Sequence, residues 1–204
     1  MRSFKVHNLW PIPVYHGNIP VLEEWKENIL NLEYERTHIK NSDISKDRYI
    51  LDNMTDLKQE IDNHCENFIR RYLSMKDKIN FYMLNSWSNR HRPKDASQIH
   101  YHANSLLSGV YYPIFPINGG DLVMHKNHHH ITMFHNSMRF EYDVNDNVTA
   151  EQYQIEIEEG DIVLFPSHLE HSVRENMTNS DRYSVAFNYF AKGTIGKEEY
   201  QLEI

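Results

Sequence analysis

Hydrophobic and polar positions alternate in two different rhythms along this chain, and the change of rhythm near residue 79 divides it. From Pro20 to about Arg36, the apolar residues Val21, Leu22, Trp25, Ile29 and Leu32 recur at intervals of three or four. That spacing puts them on one face of an α-helix, with Pro20 suited to its first turn. A polar stretch through Asn41, Ser42, Asp43 and Ser45 separates it from a longer periodic run: Met54, Leu57, Ile61, Cys65, Phe68, Ile69, Tyr72 and Leu73. This run predicts a second amphipathic helix. Ahead of both, Phe4 to Ile19 carries scattered apolar residues interrupted by Pro11 and Pro13. Proline cannot donate to a β-ladder, so the segment is expected to be extended and to flank a sheet edge.

After Lys78 the pattern becomes short runs rich in Tyr, Phe, Val and Ile, broken by turn residues, as far as about Ala191. Such runs read as strands. They cover Asn80 to Ser88, Ser97 to His102, Leu106 to Phe115, Asp121 to His125, Ile131 to Phe134, Met138 to Asp143, Gln152 to Ile157, Asp161 to Phe165 and Arg182 to Ala191. About eight or nine short strands suit a jelly roll. The expected fold is mainly β (α+β), with the two N-terminal helices packed on one sheet. A length of 204 residues leaves room for one domain, divided into an N-terminal segment with helices (1–78), a β-core (79–191) and a C-terminal tail (192–204).

Composition narrows the function. A net charge of -8, with no basic stripe, argues against nucleic acid as a partner. The N-terminus lacks the apolar run of a signal peptide, and no stretch is apolar for long enough to span a bilayer. The expectation is a cytoplasmic chain without a membrane partner; homo-oligomerisation stays open. One cysteine, Cys65, permits neither an internal disulfide nor a thiolate cluster. Histidine, present 14 times, is the residue type that stands out.

His100 and His102 lie two apart in an expected strand, so both side chains emerge on one face and can reach one metal ion. His128 and His130 form a similar pair, but with His125, His129, Lys126 and Asn127 they read as a solvated loop. Near the C-terminus, Gly160 to Val173 reads G-D-I-V-L-F-P-S-H-L-E-H-S-V: a buried strand, ended by Pro166, that delivers His168 and His171. Arg182 and Ser184 then open the last strong strand. Two apart, they point the same way and can clamp a carboxylate, the arginine through a bidentate fork and the serine through one further bond.

Together these residues resemble the 2-oxoglutarate- and Fe(II)-dependent oxygenase superfamily, whose core is a double-stranded β-helix. The family pattern is His-x-Asp/Glu, a distal histidine, and then Arg-x-Ser. His100 matches the first ligand, His102 falls at the carboxylate position, His171 matches the distal ligand, and Arg182 with Ser184 matches the co-substrate clamp. Ser108-Gly109-Val110-Tyr111-Tyr112 and Gly119-Gly120-Asp121-Leu122 support the match. The likeness is closer still to a small subgroup found in bacteria and phages, and it covers about residues 80 to 191. It implies Fe(II), 2-oxoglutarate and O2 as partners. It also implies oxidative decarboxylation to succinate coupled to hydroxylation of a small molecule or peptide, a prolyl residue among the candidates.

The resemblance further implies His100, His102, His171 and Arg182 as catalytic residues. Tyr112, chosen over Tyr111, and Asn188 would join Arg182 and Ser184 at the co-substrate. His102 departs from the usual carboxylate; Glu170 and Asp121 are alternative sources of one. Trp87 and Asn89 are candidates for the pocket wall, and His168 for an exposed turn. Two other readings remain: a cupin-like metal dioxygenase or isomerase that makes no use of Arg182 and Ser184, and a non-catalytic jelly-roll binding or structural protein whose histidines are only structural.

Overall fold

The computed structural model describes residue 5 and residues 11–37, 41–126, 141 and 150–204. The described strands form two antiparallel sheets. The larger contains β1 (Tyr15–Asn18), β2 (Tyr34–Thr37), β3 (Ser42–Ser45), β4 (Ile79–His91), β6 (Leu107–Ile114), β9 (Asp161–Pro166) and β11 (Arg182–Ile195), in the order β1-β9-β6-β11-β4-β3-β2. The smaller, in the order β5-β10-β7-β8, contains β5 (Ser97–His100), β7 (Leu122–His125), β8 (Gln152–Ile155) and β10 (His171–Val173). This facing pair is the jelly roll that the strand pattern predicts.

Alternation along each strand of the large sheet sorts its side chains into two cores. Leu107 and Tyr111, Ile162 and Leu164, and Tyr183, Val185, Phe187 and Tyr189 face helices α1 (Glu23–Leu30) and α2 (Thr55–Asn67). Their neighbours Val110 and Tyr112, with Val163 and Phe165, face Leu122, Met124 and Ile155 of the small sheet. The sheet is buried on both faces, which is why its central strands read as continuous apolar runs rather than as alternating ones.

Gly109 sits on the helix-side face, close against Phe187 and Leu164. A Cβ there would overlap the Phe187 ring and stand 2.6 Å from Leu164 Cδ2. Gly109→Ala is therefore expected to destabilise the fold by about 1–3 kcal/mol, as overpacking does, read as a lower midpoint in urea with an unchanged slope.

Helix α2 matches its periodicity, burying Leu57, Ile61 and Cys65, and the chain continues through a wide π-turn, Phe68–Tyr72, that buries Phe68 and Ile69 but leaves Tyr72 and Leu73, expected on the same stripe, exposed. Residues 15–18 flank the large sheet at its edge, paired with β9. Two expectations need correction. The first helix, expected over Pro20 to Arg36, stops at Leu30, because β2 takes Tyr34–Thr37 into the sheet. The polar stretch at Asn41 to Ser45 is not a separator: it forms β3, with Ser42, Asp43 and Ser45 all buried.

The two differences have one cause. Asp43 is ringed by the guanidinium groups of Arg36 on β2, Arg90 on β4 and Arg92, so a strand with no apolar pattern is held by paired charges from its neighbours. The last long strand also runs further than expected, to Ile195, and β12 (Leu202–Glu203) folds back against it. The expected strand at Ile131 to Phe134, almost all of the one at Met138 to Asp143, and His128 to His130 lie outside the described residues. Among the described residues, no helix is long and apolar enough to cross a membrane.

Candidate metal and co-substrate site

Strand pairing builds the histidine cluster. β10 pairs with β5 so that His171 stands opposite His100. His102 is not in the strand with His100, as expected, because β5 ends at His100. It lies in the following turn, tied down by its N–H donating to the Ser167 carbonyl at 3.0 Å. All three imidazoles nevertheless converge, with one ring nitrogen from each within 4.8 Å of the others.

Local hydrogen bonds settle which nitrogens face inward. His100 Nδ1 lies 2.7 Å from the Gln98 carbonyl and His171 Nδ1 lies 3.0 Å from the Leu169 carbonyl. Carbonyls only accept, so each Nδ1 carries the proton and each Nε2 presents a lone pair. The Nε2 atoms of His102 and His171 are 3.3 Å apart, close to the separation of about 3 Å for adjacent nitrogens that share an ion through bonds of about 2.1 Å.

The donors gathered among the described residues are three imidazoles and no carboxylate. Asp121 accepts from Gln154 Nε2 at 2.7 Å and from the Ile157 N–H at 3.1 Å, and neither Asp121 nor Glu170 joins the cluster. His168 is exposed. His125 ends β7 with its Nε2 2.8 Å from Ser172 Oγ.

The cluster opens into a cavity of about 470 Å³, counted with its mouth. At the other end lies Arg182, only 1% exposed. Its Nη1 donates to the Gly120 carbonyl at 2.7 Å and, more weakly, to Gly119 at 3.4 Å. Its Nη2 lies 2.8 Å from His91 Nδ1, and its Nε is buried without a hydrogen-bond partner. Gly120 must be glycine for this turn: its φ is +95°, and a Cβ would run into the Arg174 carbonyl.

No carboxylate among the described residues forms a salt bridge with Arg182. Burial pulls its pKa down to about 10, against weaker pulls upward from Tyr112 and Asp121, so it remains a cation at neutral pH. A buried cation that lines a cavity and keeps an unsatisfied N–H is a site prepared for an anion. Ser184 and Tyr112 line the same cavity, and burial pushes the Tyr112 hydroxyl well above the ordinary phenol range. Tyr111 faces the helices instead.

The adjacent strand β4 contributes Trp87, Asn89 and His91, opposite Ala186, Ser184 and Arg182 respectively. Trp87 donates its indole N–H to Asn89 Oδ1 at 3.2 Å, and its ring lies 5.7 Å from that of His102. Asn188 differs from expectation. It shares the strand face of Arg182 but does not line the cavity. Its Nδ2 donates to Asn85 Oδ1 at 2.9 Å, and its Oδ1 accepts from Ser108 Oγ at 2.7 Å. Strand parity indicated the face and not the depth. His91, absent from the sequence reading, sits directly against Arg182; only its parity with Trp87 and Asn89 could have indicated it.

Comparison with known proteins follows the same lines. A family model described as "Putative 2OG-Fe(II) oxygenase" matches residues 85–188, just over half of the chain. None of the curated proteins matches. Among similar solved structures is an oxidoreductase of the 2OG-Fe(II) oxygenase family from Burkholderia pseudomallei, 14% identical with a TM-score of 0.58, the match covering 81% of this chain and 75% of that one. HygX from Streptomyces hygroscopicus, with nickel, 2-oxoglutarate and hygromycin B bound, is 13% identical with a TM-score of 0.55, covering 87% and 82%. A prolyl hydroxylase from Trichoplax adhaerens, in complex with a peptide fragment of the hypoxia inducible factor oxygen degradation domain, is 12% identical with a TM-score of 0.56, covering 87% and 83%. At these identities the likeness is one of fold.

Proposed function

Because the chain belongs to the 2OG-Fe(II) oxygenase family, we propose that it is a 2-oxoglutarate-dependent dioxygenase whose Fe(II) is held by His100, His102 and His171. The observation that carries the reading is Arg182: a fully buried guanidinium with an unpartnered Nε, at the far end of the cavity that contains the three imidazoles. A dicarboxylate suits both ends. Arg182, with Ser184 and Tyr112 beside it, receives the distal carboxylate, and the 2-oxo acid end reaches the histidines. When bound, Fe(II) and 2-oxoglutarate supply O2 activation and oxidative decarboxylation to succinate and CO2, coupled to hydroxylation of a substrate C–H bond.

This chain's own residues bind, orient and exclude water. The carbonyls of Gln98 and Leu169 hold two imidazoles in the ligating tautomer. Phe165, its ring 4.7 Å from that of His171, and Trp87 beside His102 wall the centre with apolar surface. Val110, Leu122, Val173 and Ala186 add apolar lining to the same cavity. A small molecule or a peptide is the substrate class, the kinds bound in HygX and in the prolyl hydroxylase.

The test is anaerobic addition of Fe(II) and then 2-oxoglutarate. A weak visible charge-transfer band is expected, followed on admission of O2 by slow succinate release without added substrate. No band from the wild-type protein would overturn the reading.

A further inference from the structure

The clamp is itself clamped. His91 and Arg182 are register partners on β4 and β11, and His91 is 2% exposed. A guanidinium only donates, so the 2.8 Å contact from Arg182 Nη2 requires a lone pair on His91 Nδ1. The proton of the neutral imidazole then sits on Nε2, which lies 2.9 Å from Ser97 Oγ and donates to it. Asn176 holds the same residue by its backbone, donating Nδ2 to the His91 carbonyl at 3.0 Å. Arg182 has five N–H donors. The Gly119 and Gly120 carbonyls take those of Nη1 and His91 takes one from Nη2, which leaves Nε–H and the second Nη2 proton.

We propose that His91 is a positioning residue for the 2-oxo acid: a neutral hydrogen-bond acceptor that fixes the rotation of the Arg182 guanidinium and so presents Nε–H and one Nη2–H as the fork for the distal carboxylate. Ser97, which opens β5 three residues before His100, holds the imidazole in the accepting tautomer. The Arg182–His91–Ser97 chain thereby joins the carboxylate clamp to the strand that carries a metal ligand. This proposal rests on the reading of Arg182 as the dicarboxylate clamp.

The experiment compares two 2-oxo acids on the Fe(II)-loaded protein without oxygen, by charge-transfer titration and calorimetry. One is 2-oxoglutarate; the other is 2-oxopentanoate, which carries a methyl where the distal carboxylate would be. His91→Phe fills the space without an acceptor. It is expected to weaken 2-oxoglutarate about 10- to 100-fold, the size of one hydrogen bond to a charged group, and to leave 2-oxopentanoate and Fe(II) affinity unchanged. His91→Gln, whose amide oxygen can accept, should recover most of the loss. Ser97→Ala, a milder change, should lower 2-oxoglutarate affinity in the same selective way.

A selective loss in either His91→Phe or Ser97→Ala supports the proposal, even if the other variant does not fold. Unchanged 2-oxoglutarate binding in His91→Phe overturns it, and so does an equal loss for both acids, which would mark a structural role. A wild-type protein that binds the two acids equally well would overturn the clamp reading itself, and this proposal with it.

Discussion

Arg182→Met is expected to weaken 2-oxoglutarate binding by about 10²- to 10³-fold, while Fe(II) affinity stays within a few-fold of wild type. Removing one member of a buried charge pair costs about 2–5 kcal/mol, and a loss of about 10²- to 10³-fold falls in the middle of that range. The guanidinium is fully buried, no side-chain carboxylate among the described residues forms a salt bridge with it, and its Nε has no partner. Its neighbours Ser184, Tyr112 and Phe115 give the distal carboxylate no second cation. Methionine fills the volume without charge, and Arg182 is not among the three clustered imidazoles, so metal binding is spared. Calorimetry with 2-oxoglutarate on the metal-loaded protein reads the effect. Affinity within threefold of wild type would exclude Arg182 as the anion site.

His171→Ala is expected to abolish iron binding at micromolar metal, and with it the charge-transfer band and succinate release. Of the three imidazoles His171 is the most buried, and it adjoins both others, with ring centroids 4.3 Å from His100 and 5.1 Å from His102. Its loss leaves a two-nitrogen site open to water, too few donors for a tight centre. Iron content after gel filtration and the visible spectrum measure this; a band that survives would move the ligand assignment elsewhere.

The neighbouring variant His102→Asp tests the unusual donor set. A carboxylate adds negative charge to the metal and raises the energy of its electrons. The charge-transfer band should therefore move to longer wavelength than in wild type. A band that does not move would mean that His102 does not bind the ion.

The parts of this protein that were legible in its sequence are those that depend on near neighbours. Alternation placed Arg182 and Ser184 on one face, and the helical period picked out Leu57, Ile61 and Cys65 as a buried stripe. Failures fall where a distant residue overrides the local pattern. β3 has almost no apolar content, yet Asp43 is buried because three arginines converge on it. The first helix gave up its last turn because Tyr34 and Arg36 pair better in the sheet, with Tyr34 donating to the Ile29 carbonyl and accepting from Ser88 Oγ, and Arg36 binding Asp95. His100 and His102 do meet one centre, but through a turn rather than the strand periodicity that first suggested it.

Depth and register lay beyond the pattern in the same way. Asn188 obeys the parity of Arg182 but sits past the end of the cavity, in a ladder with Asn85 and Ser108. The choice between Tyr111 and Tyr112 as a cavity residue required knowing which face of β6 looks toward the small sheet. His91 acquires its place only from pairing with a residue 91 positions away.

By itself, then, the sequence determined the β-rich fold class, the helical stripe of α2 and the residue types able to hold a metal ion and an anion, because side-chain periodicity and donor chemistry are local properties. The tertiary structure decided which of those residues share a cavity, which nitrogens face its centre and what holds Arg182 in place. Those are distances between segments, and they are set by strand register, close packing and the pairing of buried charges across the sheets.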